Sequence, residues 1–190
     1  MNNSSDNPIS AEAFKDGMSL YVWMMINVPG VPVSLEGLGP DDRVEVMIYR
    51  KDSPIDLTGL EPWQKSWVMI HRQDCPIDLE GFNSFHRTRV MVHRKDCPIN
   101  LEGLRAFDRA QVMARREDCP IDLKGLESRH RAQVMAKRKD CPINLKKLNL
   151  SDRVKVMIGR QDSPIDFKGL GPSTIAFVKK ERKKRYGEDL

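Results

Sequence analysis

The sequence predicts an all-α fold made of stacked copies of one short unit, on three observations. One tripeptide returns every 22 residues, apolar residues recur at helical spacing, and Pro and Gly mark the same places in each copy. The tripeptides are Ser53-Pro54-Ile55, Cys75-Pro76-Ile77, Cys97-Pro98-Ile99, Cys119-Pro120-Ile121, Cys141-Pro142-Ile143 and Ser163-Pro164-Ile165. Val31-Pro32-Val33 is a seventh copy, 22 residues earlier. The units therefore start at 31, 53, 75, 97, 119, 141 and 163 and occupy residues 31–184. With Cys, Ser or Val as position 1, the pattern is C/S-P-I-D/N-L-x-G-L, four variable positions, R-x-x-V-M at 13–17 and R-x-D at 20–22.

Each element follows from local chemistry. Ser or Cys before Pro, with Asp or Asn three residues after position 1, reads as a helix start. Gly at position 7 stops that helix early, so the first element is one or two turns and 3₁₀-like. The second element runs from about position 10 to position 20. Its positions 14, 17 and 18, as in Val44, Met47 and Ile48 or Ala132, Met135 and Ala136, form a core stripe with Ile at 3 and Leu at 5 and 8. One unit cannot bury that stripe, so neighbours must stack into a solenoid. Residues 1–30 form an N-terminal segment in which Tyr21–Ile26 has the shape of positions 13–18, a divergent capping half-repeat. Residues 163–184 place Ile175 and Lys179 where Arg and Met are expected, which also suits a cap. Residues 179–190 are a basic C-terminal tail that extends the final helix into solvent.

Composition narrows the class. Hydrophobic residues make up 39% and charged residues 31%, as in a soluble folded chain. The net charge of +5 is uneven: residues 1–96 are acidic on balance and residues 97–190 strongly basic. Either an oriented anionic partner or a plain solvated surface accounts for that. Met1–Asp16 has no basic leader, and the apolar stretch Met18–Val28 is shorter than the ~20 residues that span a bilayer. The expectation is a cytoplasmic protein without a membrane partner.

The pattern resembles the variant leucine-rich repeat, a bacterial repeat family. The matching residues are the Pro followed by paired leucines, as in Pro120, Leu123 and Leu126, and then Arg-x-x-Val, as in Arg131 and Val134. The likeness covers residues 31–178, with a unit slightly shorter than the family's. It implies a right-handed α-solenoid in which each unit pairs a short 3₁₀ helix with a longer α-helix, and it implies a scaffold role. Family members can carry an N-terminal iron–sulfur domain. Residues 1–30 contain no Cys, so no such cofactor is implied.

Catalytic and metal chemistry find little support. Cys75, Cys97, Cys119 and Cys141 all hold position 1. Equivalent atoms of stacked helices lie about 8–10 Å apart, too far for a disulfide or one zinc ion. Ser53 and Ser163 take the same position, so a small packing residue in a reducing compartment is the simpler account. His71, His86, His93 and His130 stand beside no Cys or carboxylate at catalytic spacing. No phosphate loop or nucleophile elbow occurs, and no catalytic residue, metal or cofactor is expected.

Binding features are richer. Position 13 carries Arg43, Lys65, Arg87, Arg109, Arg131 and Arg153; position 20 carries Arg50, Arg72, Arg94, Arg116, Arg138 and Arg160. Seven residues is close to two helical turns, so both rows fall on one face. They form either a track for phosphates, with Arg87, Arg109, Arg131 and Arg153 as contacts, or structural ladders. An Asp row at position 22, Asp52 to Asp162, matches position 20 one for one and favours a ladder there. Positions 11, 15 and 19 line one helical face and do not repeat. They read Trp63, Trp67, His71; Phe85, Arg89, His93; Phe107, Gln111, Arg115; and Arg129, Gln133, Lys137. Aromatic and Arg side chains are those interface hot spots favour, although the aromatics could also fill gaps between units. The sequence thus points to a non-enzymatic scaffold that binds a protein through this face. The alternative is a polyanion binder that uses the Arg rows and the basic half.

Overall fold

A computed structural model describes residues 19–190. The reading of Met1–Asp16 lies outside them. Among the described residues the chain is all-helical, without strands. It divides at Gly81/Phe82 into two compact units. The first holds α1 (Leu20–Asn27), α2 (Pro40–Tyr49) and α3 (Pro62–His71). The second holds α4 (Ser84–His93), α5 (Ala106–Arg115), α6 (Ser128–Lys137), α7 (Leu150–Gly159) and α8 (Pro172–Tyr186). Within each unit, consecutive helices pack on one another. No described helix is long and apolar enough to cross a membrane.

The helices α2 to α7 each occupy positions 10–19 of a copy. Position 9 is the extended N-cap. Asn83 Oδ1 accepts from His86 N at 3.0 Å, and Asn149 Oδ1 accepts from Asp152 N at 2.9 Å. Pro40, Pro62 and Pro172 hold the first helical position, where a missing N–H costs nothing.

The buried arc differs from the expected stripe. Position 14 is buried in most copies, and position 17 in all six that carry Met. Position 18 is mostly half-buried, and the valines at position 16, Val46 to Val178, are fully buried instead. Each such Val contributes about 1.5–3 kcal/mol of hydrophobic stabilisation. The methionines also take a polar contact. The backbone N–H groups of Asp56, Asp122 and Asp166 donate to the sulfurs of Met47, Met113 and Met157 at 3.3–3.4 Å.

The first element is not a helix in most copies. Positions 2–4 have no regular secondary structure, and positions 5–8 form a turn closed by Leu60 N to Leu57 O at 3.2 Å, by Leu104 N to Leu101 O at 3.2 Å, and so on. Position 1 is therefore a packing residue and no N-cap. The position-4 Asp or Asn folds back, as Thr58 N donates to Asp56 Oδ1 at 2.9 Å. Position 7 sets the turn: Gly59 has φ +69°, in the left-handed region. Where Lys147 replaces Gly, that φ is not adopted and a 3₁₀ turn, Leu145–Lys147, forms.

From Arg72 onward the position-20 arginines are buried, not arrayed on a surface, and Arg50 is half-buried. Arg116 is 4% exposed. Its Nη1 donates to Met91 O at 2.6 Å and Arg94 O at 2.7 Å, at the end of α4. Its Nη2 donates to Lys95 O at 3.0 Å and Cys97 O at 3.2 Å. Nε and Nη2 grip Asp118, two residues on, at 2.8 and 2.6 Å. Helix C-termini leave their last carbonyls without partners, and a guanidinium supplies donors in a planar fork. Arg72, Arg138 and Arg160 repeat the arrangement on Met47, Met113 and Met135.

The row also includes Arg182. It reaches Met157 O and Arg160 O, while its carboxylate partner is Glu188 at 2.6 Å because position 22 is Lys184. Residues 179–186 of the basic tail are the last turns of α8, with Lys179, Lys180, Lys183, Lys184 and Arg185 exposed. Contacts also tie this end down: Lys183 pairs with Asp189 at 2.6 Å, and Tyr186 Oη donates to Ile158 O at 2.9 Å.

Replacing Arg116 by Met leaves those buried carbonyls without donors. Chemical denaturation should show a loss of about 3–5 kcal/mol, while Arg115→Met on the exposed neighbour stays within about 0.5 kcal/mol. Gly59→Ala meets no atom within 4 Å, so only the left-handed backbone resists it. The same measurement should give a loss of about 1–2 kcal/mol.

Candidate partner-binding face

The variable positions lie outside the repeating core. Trp63 and Trp67 on α3 are 51% and 38% exposed; Phe85 on α4 and Phe107 on α5 are 49% and 47% exposed. His71, His93, Arg115, Arg129 and Lys137 are exposed, while Arg89, Gln111 and Gln133 are half-buried. In the first unit, the Trp67 and His71 rings meet edge to face at 4.4 Å.

In the second unit the same positions line two grooves. One, about 250 Å³, lies between α4 and α5. Phe85, Arg89 and His93 form one wall, Phe107, Gln111 and Arg115 the other, with Thr88 and Val92 also lining it. The next, about 440 Å³, is lined by Phe107, by Arg129, Gln133 and Lys137 of α6, and by Lys155 of α7. Phe107 is shared by both. His130 also lines the second groove; it is buried, and neither ring nitrogen has a hydrogen-bond partner. Its ring meets Phe107 edge-on at 5.9 Å. Arg89 lies over the Phe85 ring at 5.8 Å. Phe85 and Phe107 therefore wall grooves.

The position-13 row is half-buried against the turn of the following copy. Arg87 donates to Asn100 O at 3.3 Å, Arg109 to Lys124 O at 3.4 Å, Arg131 to Lys147 O at 3.1 Å, and Arg153 to Asp166 O at 3.0 Å. The two Arg rows do not form parallel exposed lines, because one caps helix ends and the other braces turns. Position 12, whose His86 and His130 were weighed for chemistry, instead carries buried polar links. Ser84 donates to Asp108 at 2.5 Å and Ser128 to Asp152 at 2.7 Å. The four Cys are buried, and burial raises the thiol pKa of Cys97, Cys119 and Cys141. No group of three His, Cys, Asp or Glu among the described residues could hold a metal ion.

Comparison with family models, curated proteins and solved structures finds no match. The variant leucine-rich repeat resemblance therefore rests on the motif residues alone.

The carboxylates that grip the position-20 arginines titrate low. Hydrogen bonds from Arg50 hold Asp52 at about 2, and those from Arg94, Arg116, Arg138 and Arg160 lower Asp96, Asp118, Asp140 and Asp162. A depressed folded-state pKa contributes stability above the unfolded value of about 3.9 and loses it as pH falls through the folded value. These carboxylates are solvent-exposed, so screening keeps each contribution small. Thermal unfolding followed from pH 5 to pH 2 should show a falling midpoint, and carboxyl-carbon NMR should place the Asp52 midpoint near 2.

Proposed function

We propose that this chain is a non-enzymatic repeat scaffold of the variant leucine-rich type that binds a protein partner through positions 11, 15 and 19. The observation that carries the reading is the pair of adjoining grooves on α4 to α6, walled largely by side chains from positions 11, 15 and 19. Repeat scaffolds bind through such surfaces, and desolvated aromatic and Arg side chains dominate protein interfaces. Burial of the position-20 row weakens the polyanion alternative, which keeps Arg87, Arg109, Arg131, Arg153 and the lysines of α8 as phosphate contacts. Four buried thiols suit a cytoplasmic setting.

Panning a random peptide library on the full chain tests this. Peptides should be enriched on the wild type and lose at least tenfold in affinity on Phe107→Ala. Labelled duplex and single-stranded oligonucleotides should stay unbound at 50 mM salt. Failure to enrich peptides, with oligonucleotide binding that drops about 10³-fold between 50 and 200 mM salt, would replace the scaffold reading by the nucleic-acid one.

A further inference from the structure

At the variable positions of the grooved face the charge has one sign, and the one carboxylate that lines the first groove, Asp108, is buried. Across α4, α5 and α6, positions 11, 15 and 19 hold aromatic, amide and basic residues and no carboxylate. Position 19 gives His93, Arg115 and Lys137 on three consecutive helices, and Arg115 and Lys137 are exposed. Lys155 of α7 also lines the second groove, where its charge is paired with Asp152 at 3.0 Å. The carboxylates nearby are spoken for. Asp108 takes Ser84 and Arg105, and Asp152 takes Ser128 and Lys155.

Taking the proposed protein-binding role as its premise, we infer that this face takes an acidic, extended peptide that crosses α4 to α6. A large apolar side chain of that peptide enters the groove between Phe85 and Phe107. Spacing supports the match. Packed helices lie about 8–10 Å apart, so Arg115 and Lys137 recur at about that interval. A chain in the extended polyproline II conformation advances about 3.1 Å per residue with three residues per turn, so every third side chain returns to the same face at about 9 Å. Glu or Asp at every third position keeps register with successive basic side chains, whereas clustered acids do not.

The groove chemistry favours a peptide over a single-stranded nucleic acid. Stacked bases need open ring faces. The Phe85 ring already carries the Arg89 guanidinium at 5.8 Å. Val92 lines the space between the two rings, which suits an aliphatic or aromatic side chain. Of the two arginine rows, position 20 is buried at the helix ends from Arg72 onward, and Arg87, Arg109, Arg131 and Arg153 are half-buried against turns.

The test uses fluorescein-labelled twelve-residue peptides and the full chain in anisotropy titrations. One peptide carries Phe followed by Glu at every third position. A second has the same composition with its glutamates adjacent, a third has Gln for Glu, and a fourth has Lys for Glu. A twelve-nucleotide oligo(dT) is the competing probe. The spaced-Glu peptide should bind at least tenfold tighter than the other three. The double variant Arg115→Glu, Lys137→Glu should lose that preference and prefer the Lys peptide. Both substitutions are at exposed positions, and an unchanged circular dichroism melt shows that the fold is intact.

Equal binding of the spaced and clustered isomers, or of the Glu and Gln peptides, overturns this inference. If panning still yields peptides lost on Phe107→Ala, the protein-binding role survives that result. Binding of oligo(dT) alone, with no peptide enriched by panning, overturns both. No binding by any of the four peptides overturns the inference whatever panning returns.

Discussion

The structure depends on one interaction, the insertion of a buried guanidinium into the carbonyl end of the preceding helix. A ten-residue helix is marginal by itself, and its last carbonyls need donors. Water could supply them at an exposed end. Here the ends face the next copy, so the following arginine supplies them, as Arg138 does for Met113, Arg116 and Glu117. The charge is tolerated because all of its N–H groups are engaged and a carboxylate two residues away closes the fork. The fixed reach of that arginine sets one helix beside the next, and the Val and Met at positions 16 and 17 fill the space between.

This arrangement explains why net charge is a poor guide to the surface. Seven arginines, Arg50 to Arg182 at 22-residue intervals, point inward, while the aspartates that partner them remain largely exposed. The positive field a ligand meets comes from other residues, chiefly those at position 19 and on α8. Repetition and variation are also separated in space. What recurs holds the helices together, and what varies lines the grooves.

Much of this was legible in the sequence. The 22-residue period located α2 to α7, and the non-repeating positions located the exposed aromatics. The Asp row rightly suggested a ladder at position 20, with each Asp serving the Arg of its own copy. The burial of that row was missed because an arginine reads as surface. A signal was available: position 20 is Arg in every copy, Arg182 included, whereas position 13 accepts Lys65. A site that admits only Arg uses the fork and not merely the charge. The first element was misread because Ser/Cys-Pro with a later Asp fits either a helix cap or an Asx-braced turn. Gly at position 7 decides for the turn, and Lys147 shows the alternative. The grooves were not legible, since they depend on how far neighbouring helices stand apart.

The guanidinium contacts run in one direction along the chain. Within each compact unit, a helix is completed by an arginine that is synthesised 22 or more residues later. Ribosomes add about 5–20 residues per second, so a newly emerged helix waits on the order of seconds for its cap. Each copy is therefore a provisional structure until its successor leaves the exit tunnel, and order spreads from the N-terminal side with a lag of one copy.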